Sequence, residues 1–335
     1  MKWQIVCPIV LATALLLLGL EVLAEQACQI TVREGMSLQA AISLAPAGAV
    51  ICLEAGVWRE NLVITKPLTV QGMGPNEKST IMGYGRTAPV IRVEGDQSTR
   101  VTLNGITVMW GPIGIAVVGA AQVIIVNSAV RSCGYGIAVA KSAQATVTNS
   151  SVADCEVSGV YVTDSALVNV HNAEIKSTMG WFAIHVDSSA RALLTAATIT
   201  DNTYTGVVVG NDAQADIRDS LIENNGKDGI AVGGSACVSI IASKIVNNKW
   251  RGIALGDSAH VTLINNHIAA NGMYGVFLYE PPCAITDRVF LGYLTGQNNI
   301  IPDVLEPEGN QLGAVCPQVL QFLATKEGGE LDRRQ

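Results

Sequence analysis

The sequence predicts an all-β chain: a right-handed, single-stranded parallel β-helix with about 23 residues per coil, three short parallel sheets, and short helical caps at both ends. Three observations carry that expectation. One phrase recurs in step, as NNGKDGIAV from Asn224, NNKWRGIAL from Asn247 and ANGMYGVFL from Ala270. Its aliphatic residues alternate with period two, as in a strand with one buried face. An alanine stands at one fixed offset in every unit.

The repeat is counted from its glycine. Matching positions are Gly114, Gly136, Gly159, Ala183, Gly206, Gly229, Gly252 and Gly275, a span of 161 residues or seven units of 23. That period is typical of solenoids, in which each repeat buries its apolar face only against its neighbours. One residue on stand Ile115, Ile137, Val160, Ile184, Val207, Ile230, Ile253 and Val276, and two further on Val117, Val139, Val162, Val186, Val209, Val232, Leu255 and Leu278. This is the first strand of each coil. Seven residues past the start come Ala121, Ala143, Ala166, Ala190, Ala213, Ala236 and Ala259, where the interior has room for one methyl. A second alternating pair, such as Val238 and Ile240, gives a second strand, and a single aliphatic such as Ile245 gives a third. The strong handedness of parallel crossovers sets the right-handed sense, and coils stack at the ordinary strand separation of about 4.8 Å.

Asn202, Asn225, Asn248 and Asn271 share one offset, in the turn that leads back to the next start. Stacked asparagines pass amide hydrogen bonds from coil to coil and tolerate left-handed backbone angles. They are read as a turn ladder.

Four regions follow in order. Residues 1–24 read as a secretory signal, with Lys2 in a short basic region, an apolar run from Ile9 to Leu20, and cleavage after Ala24; left uncleaved, Ile5 to Leu23 is long enough to anchor in a membrane. Residues 25–60 form an amino-terminal cap, in which Ser37 caps a helix of about Leu38 to Ala45 covering the interior with Leu38, Ala41, Ile42 and Ala45. Residues 61–300 are the β-helix, with regular coils over 114–278. Residues 301–335 hold a second cap helix, started by Pro317 and carrying Val319, Leu320, Phe322 and Leu323, and then a disordered polar tail.

Export places the mature chain in a secreted or periplasmic, disulfide-permissive setting with no membrane contact after cleavage. Seven of the eight cysteines follow the signal. Cys28 with Cys52 and Cys283 with Cys316 are candidates to brace the two ends; Cys133, Cys155 and Cys237 are read as small buried hydrophobes. The formal net charge is −7 and no basic cluster appears, so nucleic acid is not the expected partner.

The segment SLQAAISLAPAGAVICLEAGVWRENLVITKPLTVQGMG and the coil motif N-x-x-x-G-I-x-V resemble pectin-lyase-like right-handed β-helix proteins, in particular the CASH/NosD-type group, over roughly residues 28 to 300. The resemblance implies the fold. It does not choose an activity, because that fold hosts lyases, esterases, hydrolases, epimerases and noncatalytic modules. The clustered acids and basic residue of the related lyases, and the paired-aspartate sets of the related esterases and hydrolases, have no counterpart here.

What remains are local departures from the repeat. Two residues past the start the position is small or apolar (Ala116, Ala138, Val208, Ala231, Ala254), yet Tyr161 and His185 occupy it in two neighbouring coils. His185 and Asp187 share a strand face, so a general base backed by a carboxylate, with Tyr161 as acid or sugar platform, is the candidate catalytic group. Asp164, Asp187, Asp212 and Asp257 lie in the turns after the first strand, where Ca2+ would find carboxylates from adjacent coils; ordinary turn chemistry accounts for them equally, and no cofactor is expected. Tyr135, Trp181, Phe182, Tyr204, Trp250 and Tyr274 all precede a start position, which predicts an aromatic edge beside Tyr161 and Phe277. Such an edge suits sugar rings, and also suits protein contact.

Two functional readings follow. The first is a noncatalytic exported module that binds polysaccharide, a cell-envelope glycan or a protein along its side. The second is a carbohydrate-active enzyme (lyase, hydrolase or esterase-like) with an atypical site at Tyr161, His185 and Asp187. A NosD-like maturation role is a further alternative, weakened by the lack of a Met/His/Cys cluster suited to copper.

Overall fold

A computed structural model describes residues 27–74, 79–280, 283, 290–303, 309–326 and 328–332. The signal segment 1–24 lies outside the described residues. The chain is a parallel β-solenoid of about 11 turns. It passes through three sheets in the same order on each lap, and strands pair in parallel with their counterparts one coil away, save for the last strand of the second sheet. The first sheet, which begins beside the repeat glycine, has 11 strands; the second, which follows the fixed alanine, has 13; the third has 10.

Register converts the period of the sequence into columns. Val207, Ile230, Ile253 and Val276 are direct partners across successive coils, as are Val209, Val232, Leu255 and Leu278. These columns and those of the other sheets merge into one continuous core from Val32 to Leu323. Each of the seven fixed alanines is fully buried.

The repeated phrase combines a column of glycines with a column of asparagines. A β-carbon on Gly229 would lie 2.7 Å from the Gly252 carbonyl oxygen and 2.8 Å from Asn248 Nδ2. Glycine therefore leaves the space that the asparagine amide of the next coil fills. Asn202, Asn225, Asn248 and Asn271 are buried, and each amide donates to the side-chain oxygen of the next at 2.9–3.0 Å, ending on Asn310. The two properties read into these asparagines divide between neighbours. Asn224 and Asn247 take the left-handed backbone, at φ 54° and 56°, while the second asparagine of each pair turns inward to carry the ladder. The same column continues toward the amino terminus as Thr178, Cys155 and Cys133, which face the glycines one coil before them. A second ladder lies at the turn between the second and third sheets, where Ser128, Ser150, Ser220, Ser243, Asn266 and Asn299 accept from buried backbone amides.

The ends are closed. Helix α1 spans Leu38–Leu44, with Ser37 accepting from the Ala40 amide and with Leu38 and Ile42 buried. Glu60, from the next coil, accepts from the Leu38 and Gln39 amides at 2.9 Å each, so a carboxylate satisfies the helix start. Cys28 is bonded to Cys52, and Cys283 to Cys316.

The carboxy-terminal end differs from expectation in two ways. Gln318–Ala324 is a 3-10 helix, whose Leu320 amide donates to the Pro317 carbonyl three residues back, and Leu320 and Leu323 plug the core. The polar tail is ordered at Gly329–Asp332, which runs antiparallel along Tyr293–Gln297 and satisfies the last edge of the second sheet. Cys237 is buried, as read, but not as a core hydrophobe: in register with Gln214 and His260 it stands at an outward position outside the core cluster, and its sulfur is disulfide-bonded. Cys133 and Cys155 are buried and free.

Candidate functional site

Stacking resolves the expected single aromatic edge into two columns. Trp181, Tyr204, Lys227 and Trp250 each stand two residues before a start position, and backbone hydrogen bonds tie that turn from coil to coil (Lys227 N to Tyr204 O and Trp250 N to Lys227 O, both 3.2 Å). Trp181 and Trp250 are 61 % and 41 % exposed, enough to present ring faces to a ligand. The Trp181 and Tyr204 rings lie 5.0 Å apart, tilted by 31°. The Lys227 ammonium is 4.9 Å from the Tyr204 ring centre, 5.0 Å from that of Trp250 and 5.6 Å from that of Trp181. It is held by three rings that attract its charge.

Tyr135, Phe182 and Tyr274 stand one residue later and lean the other way, onto the outward column of the first sheet. Tyr135 meets Tyr161 at 5.7 Å, Phe182 meets His185 at 4.7 Å and Tyr274 meets Phe277 at 5.6 Å. Adjacent turn residues point to different faces, which a linear reading of the turn does not separate.

Two residues that the sequence reading passed over support the exposed column. Asp228 and Arg251 are buried and paired in two hydrogen bonds, Nε to Oδ1 at 2.7 Å and Nη2 to Oδ2 at 3.0 Å. The guanidinium also lies under Trp250, Phe277 and Tyr279, at 5.5, 4.7 and 4.8 Å from their ring centres. The pair is a post beneath Trp250. Lys227 and Arg251 would have been found by aligning the coils on their glycines and reading down the two positions before them.

At the candidate catalytic group, Tyr161 and His185 are register partners with ring centres 5.2 Å apart. Burial between Tyr161 and Phe182 pushes the His185 pKa below its usual 6.5, and the Asp187 charge opposes this only in part, so the imidazole is neutral at pH 7. Asp187 is engaged elsewhere, accepting from the Asn211 amide. The two share a neighbourhood, with no hydrogen bond between them among the described residues.

The turn aspartates are likewise engaged along the stack. Asp164 accepts from the Lys141 backbone amide at 2.8 Å, Asp212 from the Ser235 hydroxyl and Asp257 from the Gly234 amide at 2.9 Å. Asp212 and Asp257 line a shallow trough of about 550 Å³ with Asn211 and Ser235. Among the described residues no three His, Cys, Asp or Glu side chains group as metal ligands. Another polar trough, of about 400 Å³, follows the turn between the second and third sheets past Asn149, Asn172 and Glu174.

Two family descriptions match the chain. "Right handed beta helix region" covers residues 182–303, and "Periplasmic copper-binding protein (NosD)" covers residues 77–208. No curated protein matches by sequence. Among solved structures, the Azotobacter vinelandii mannuronan C-5 epimerase AlgE4 A-module is similar at 18 % identity and TM-score 0.64, covering 78 % of this chain and 80 % of that one. The AlgE6 A-module of the same organism is similar at 17 % and 0.62, covering 83 % and 90 %. An alginate lyase from Paenibacillus sp. str. FPU-7 is similar at 15 % and 0.59, covering 75 % and 95 %. At these identities the likeness is one of fold. The donors do not fit the copper of the NosD description. The only free thiols among the described residues, Cys133 and Cys155, are buried, and burial holds both protonated, Cys155 with a pKa pushed up to about 12. No described helix is long and apolar enough to cross a membrane.

Proposed function

The chain is a right-handed parallel β-helix repeat protein, and we propose that it is a noncatalytic, extracytoplasmic module that binds polysaccharide along the side of its solenoid. The observation that carries this reading is the exposed column of Trp181, Tyr204 and Trp250, with Lys227 among them. Sugar rings present C–H faces that pack on aromatic planes. The column spans three coil steps, about 14 Å at about 4.8 Å per step, and each step is close to the length of one pyranose in an extended chain. A strip one side chain wide and that long is far short of the roughly 800 Å² per partner of a stable protein interface, which favours a glycan over a protein. The mannuronan C-5 epimerase modules and the alginate lyase that share the fold act on polysaccharide, and the periplasmic NosD description supports a place outside the cytoplasm.

The test is a glycan array followed by product analysis. Binding without cleavage is expected, lost in Trp181→Ala and Trp250→Ala and kept in His185→Ala. Binding that survives both tryptophan substitutions removes the proposal.

A second reading, a carbohydrate-active enzyme, draws on one observation: His185 is neutral and half-buried beside Tyr161 and Asp187, as a general base would be. It predicts shortened, unsaturated or epimerised products that vanish in His185→Ala.

A further inference from the structure

We propose that Cys133 and Cys155 are a latent covalent rung of the asparagine column: a dithiol pair that closes to an inter-coil disulfide when the chain folds in the presence of a disulfide oxidant. The inference goes beyond the glycan reading and does not depend on it.

Three observations carry it. The first is register. The two cysteines are one lap of 22 residues apart, and each sulfur stands against a repeat glycine in the same way: a β-carbon on Gly114 would lie 3.1 Å from Cys133 Sγ, and one on Gly136 2.9 Å from Cys155 Sγ. The Glu156 amide donates to the Cys133 carbonyl at 2.8 Å, which sets Cys155 over Cys133. A coil step of about 4.8 Å falls within the roughly 4.4–6.8 Å between Cα atoms that a disulfide spans.

The second observation is that the hydrogen-bonded ladder stops where the cysteines begin. Asn248 donates to the Asn271 side chain of the next coil at 3.0 Å. Cys133 Sγ and Cys155 Sγ instead donate within their own coils, to Arg131 O at 3.3 Å and Ala153 O at 3.5 Å, and Thr178 Oγ1 is buried without a hydrogen-bond partner. Among the described residues, no side chain of this column ties the Cys133, Cys155 and Thr178 coils to one another. The third is that the chain already makes this kind of bond. Cys28 and Cys52 are joined one lap apart, 24 residues in sequence and 5.7 Å between Cα atoms, and Cys283 is joined to Cys316. An oxidant that closes those bonds meets Cys133 and Cys155 in the same unfolded chain.

Burial sets the timing. Once the coils have stacked, both thiols are enclosed and held protonated, so the thiolate that must attack is scarce. The bond therefore forms before the turn closes. With oxidised glutathione as oxidant, one cysteine thiolate attacks a glutathione sulfur and releases one glutathione thiolate; the second cysteine thiolate then displaces the other glutathione from the mixed disulfide. The two cysteines lose two electrons and two protons, and the oxidant leaves as two glutathione thiols.

Trypsin separates the two cysteines, because Arg131, Lys141 and Lys176 bound one peptide of residues 132–141 and another of 142–176. The full chain is reduced, unfolded and refolded with oxidised glutathione, quenched with a maleimide and digested without reductant. Mass spectrometry is expected to find these two peptides joined. Adding the same oxidant to the folded, reduced chain should join them at least about tenfold more slowly. The stabilising effect is read against the double variant Cys133→Ala/Cys155→Ala: the gap in urea midpoint between wild type and variant should be wider when both are refolded with oxidant than when both are reduced. Recovery of the two peptides separately, each labelled or capped by glutathione, while Cys28 and Cys52 are found joined, overturns the inference. So does either cysteine joined to any other. Equal joining rates in the folded and refolding chains overturn the timing, and an unchanged midpoint gap overturns the rung as a brace. None of these results bears on glycan binding, which the array decides separately.

Discussion

Asn248→Ala tests the ladder on which the repeated phrase depends. Asn248 is buried, and its amide makes four hydrogen bonds: it accepts from Asn225 N at 3.1 Å and Asn225 Nδ2 at 2.9 Å, and donates to Ile222 O at 3.2 Å and Asn271 Oδ1 at 3.0 Å. Alanine leaves both Asn225 donors without that acceptor inside the core. Asn271 Oδ1 keeps the Asn248 backbone N–H, at 3.1 Å, so its loss is partial. Asn225 Nδ2 likewise keeps Ile199 O, at 3.2 Å, so one backbone donor is fully stranded and two groups lose one partner each; at about 1–3 kcal/mol for a buried group left unpaired, this predicts a destabilisation of about 2–4 kcal/mol. Asn104→Ala is the matched control, because it removes a single exposed contact, from Asn127 Nδ2 at 3.3 Å, and should cost under about 1 kcal/mol. Urea unfolding followed by circular dichroism gives both values, read as midpoint shifts at constant slope. Equal costs for the two variants would refute the ladder as a source of stability and leave the asparagines as turn formers alone.

The remaining predictions concern single sites. Gly229→Ala places a methyl 2.6 Å from Ile245 Cγ2 and 2.7 Å from the Gly252 carbonyl, and the shift it forces should cost about 1–3 kcal/mol in the same assay; a neutral result would show that the glycine column is not needed for close coil approach. Arg251→Ala leaves Asp228 buried without its partner and should cost about 3–5 kcal/mol, whereas an exposed pair such as Arg33 with Glu54 should cost under about 1 kcal/mol when broken. His185 titrates below its usual 6.5 in the fold, so the unfolded chain binds the proton more readily. Stability then falls as pH drops through 6.5 toward the lowered value and is fully restored above 6.5; melting curves of wild type and His185→Gln should diverge across that window, and parallel curves would contradict the burial of the imidazole. Cys133 and Cys155 should resist a thiol reagent until the chain unfolds, since burial holds both as thiols.

Much of the fold could be read in one dimension because a solenoid makes sequence period and spatial column the same thing. Ile230 and Ile253 are 23 residues apart and are direct partners, so their like chemistry is the record of a contact. The ladder asparagines are legible for the same reason. The candidate site was legible in part: the sequence selects the turn in which Trp181, Tyr204 and Trp250 stand, but adjacent turn residues face different ways, and Phe182 leans onto His185 while Trp181 faces Lys227.

What the sequence by itself determined is the coil: its length, its inward residues, its glycine and asparagine columns, and the helix that Ser37 begins. These repeat, and repetition separates constraint from chance. What only the tertiary structure decided are the single events. Lys227 meets rings from coils 23 and 46 residues before it and 23 after, Asp187 accepts from Asn211 in the next coil, Arg251 finds Asp228 one coil back, and Gly329–Asp332 folds antiparallel onto the last strand. Each depends on which way one side chain or one chain end turns after the coils have stacked, and a direction taken once leaves no period in the sequence to reveal it.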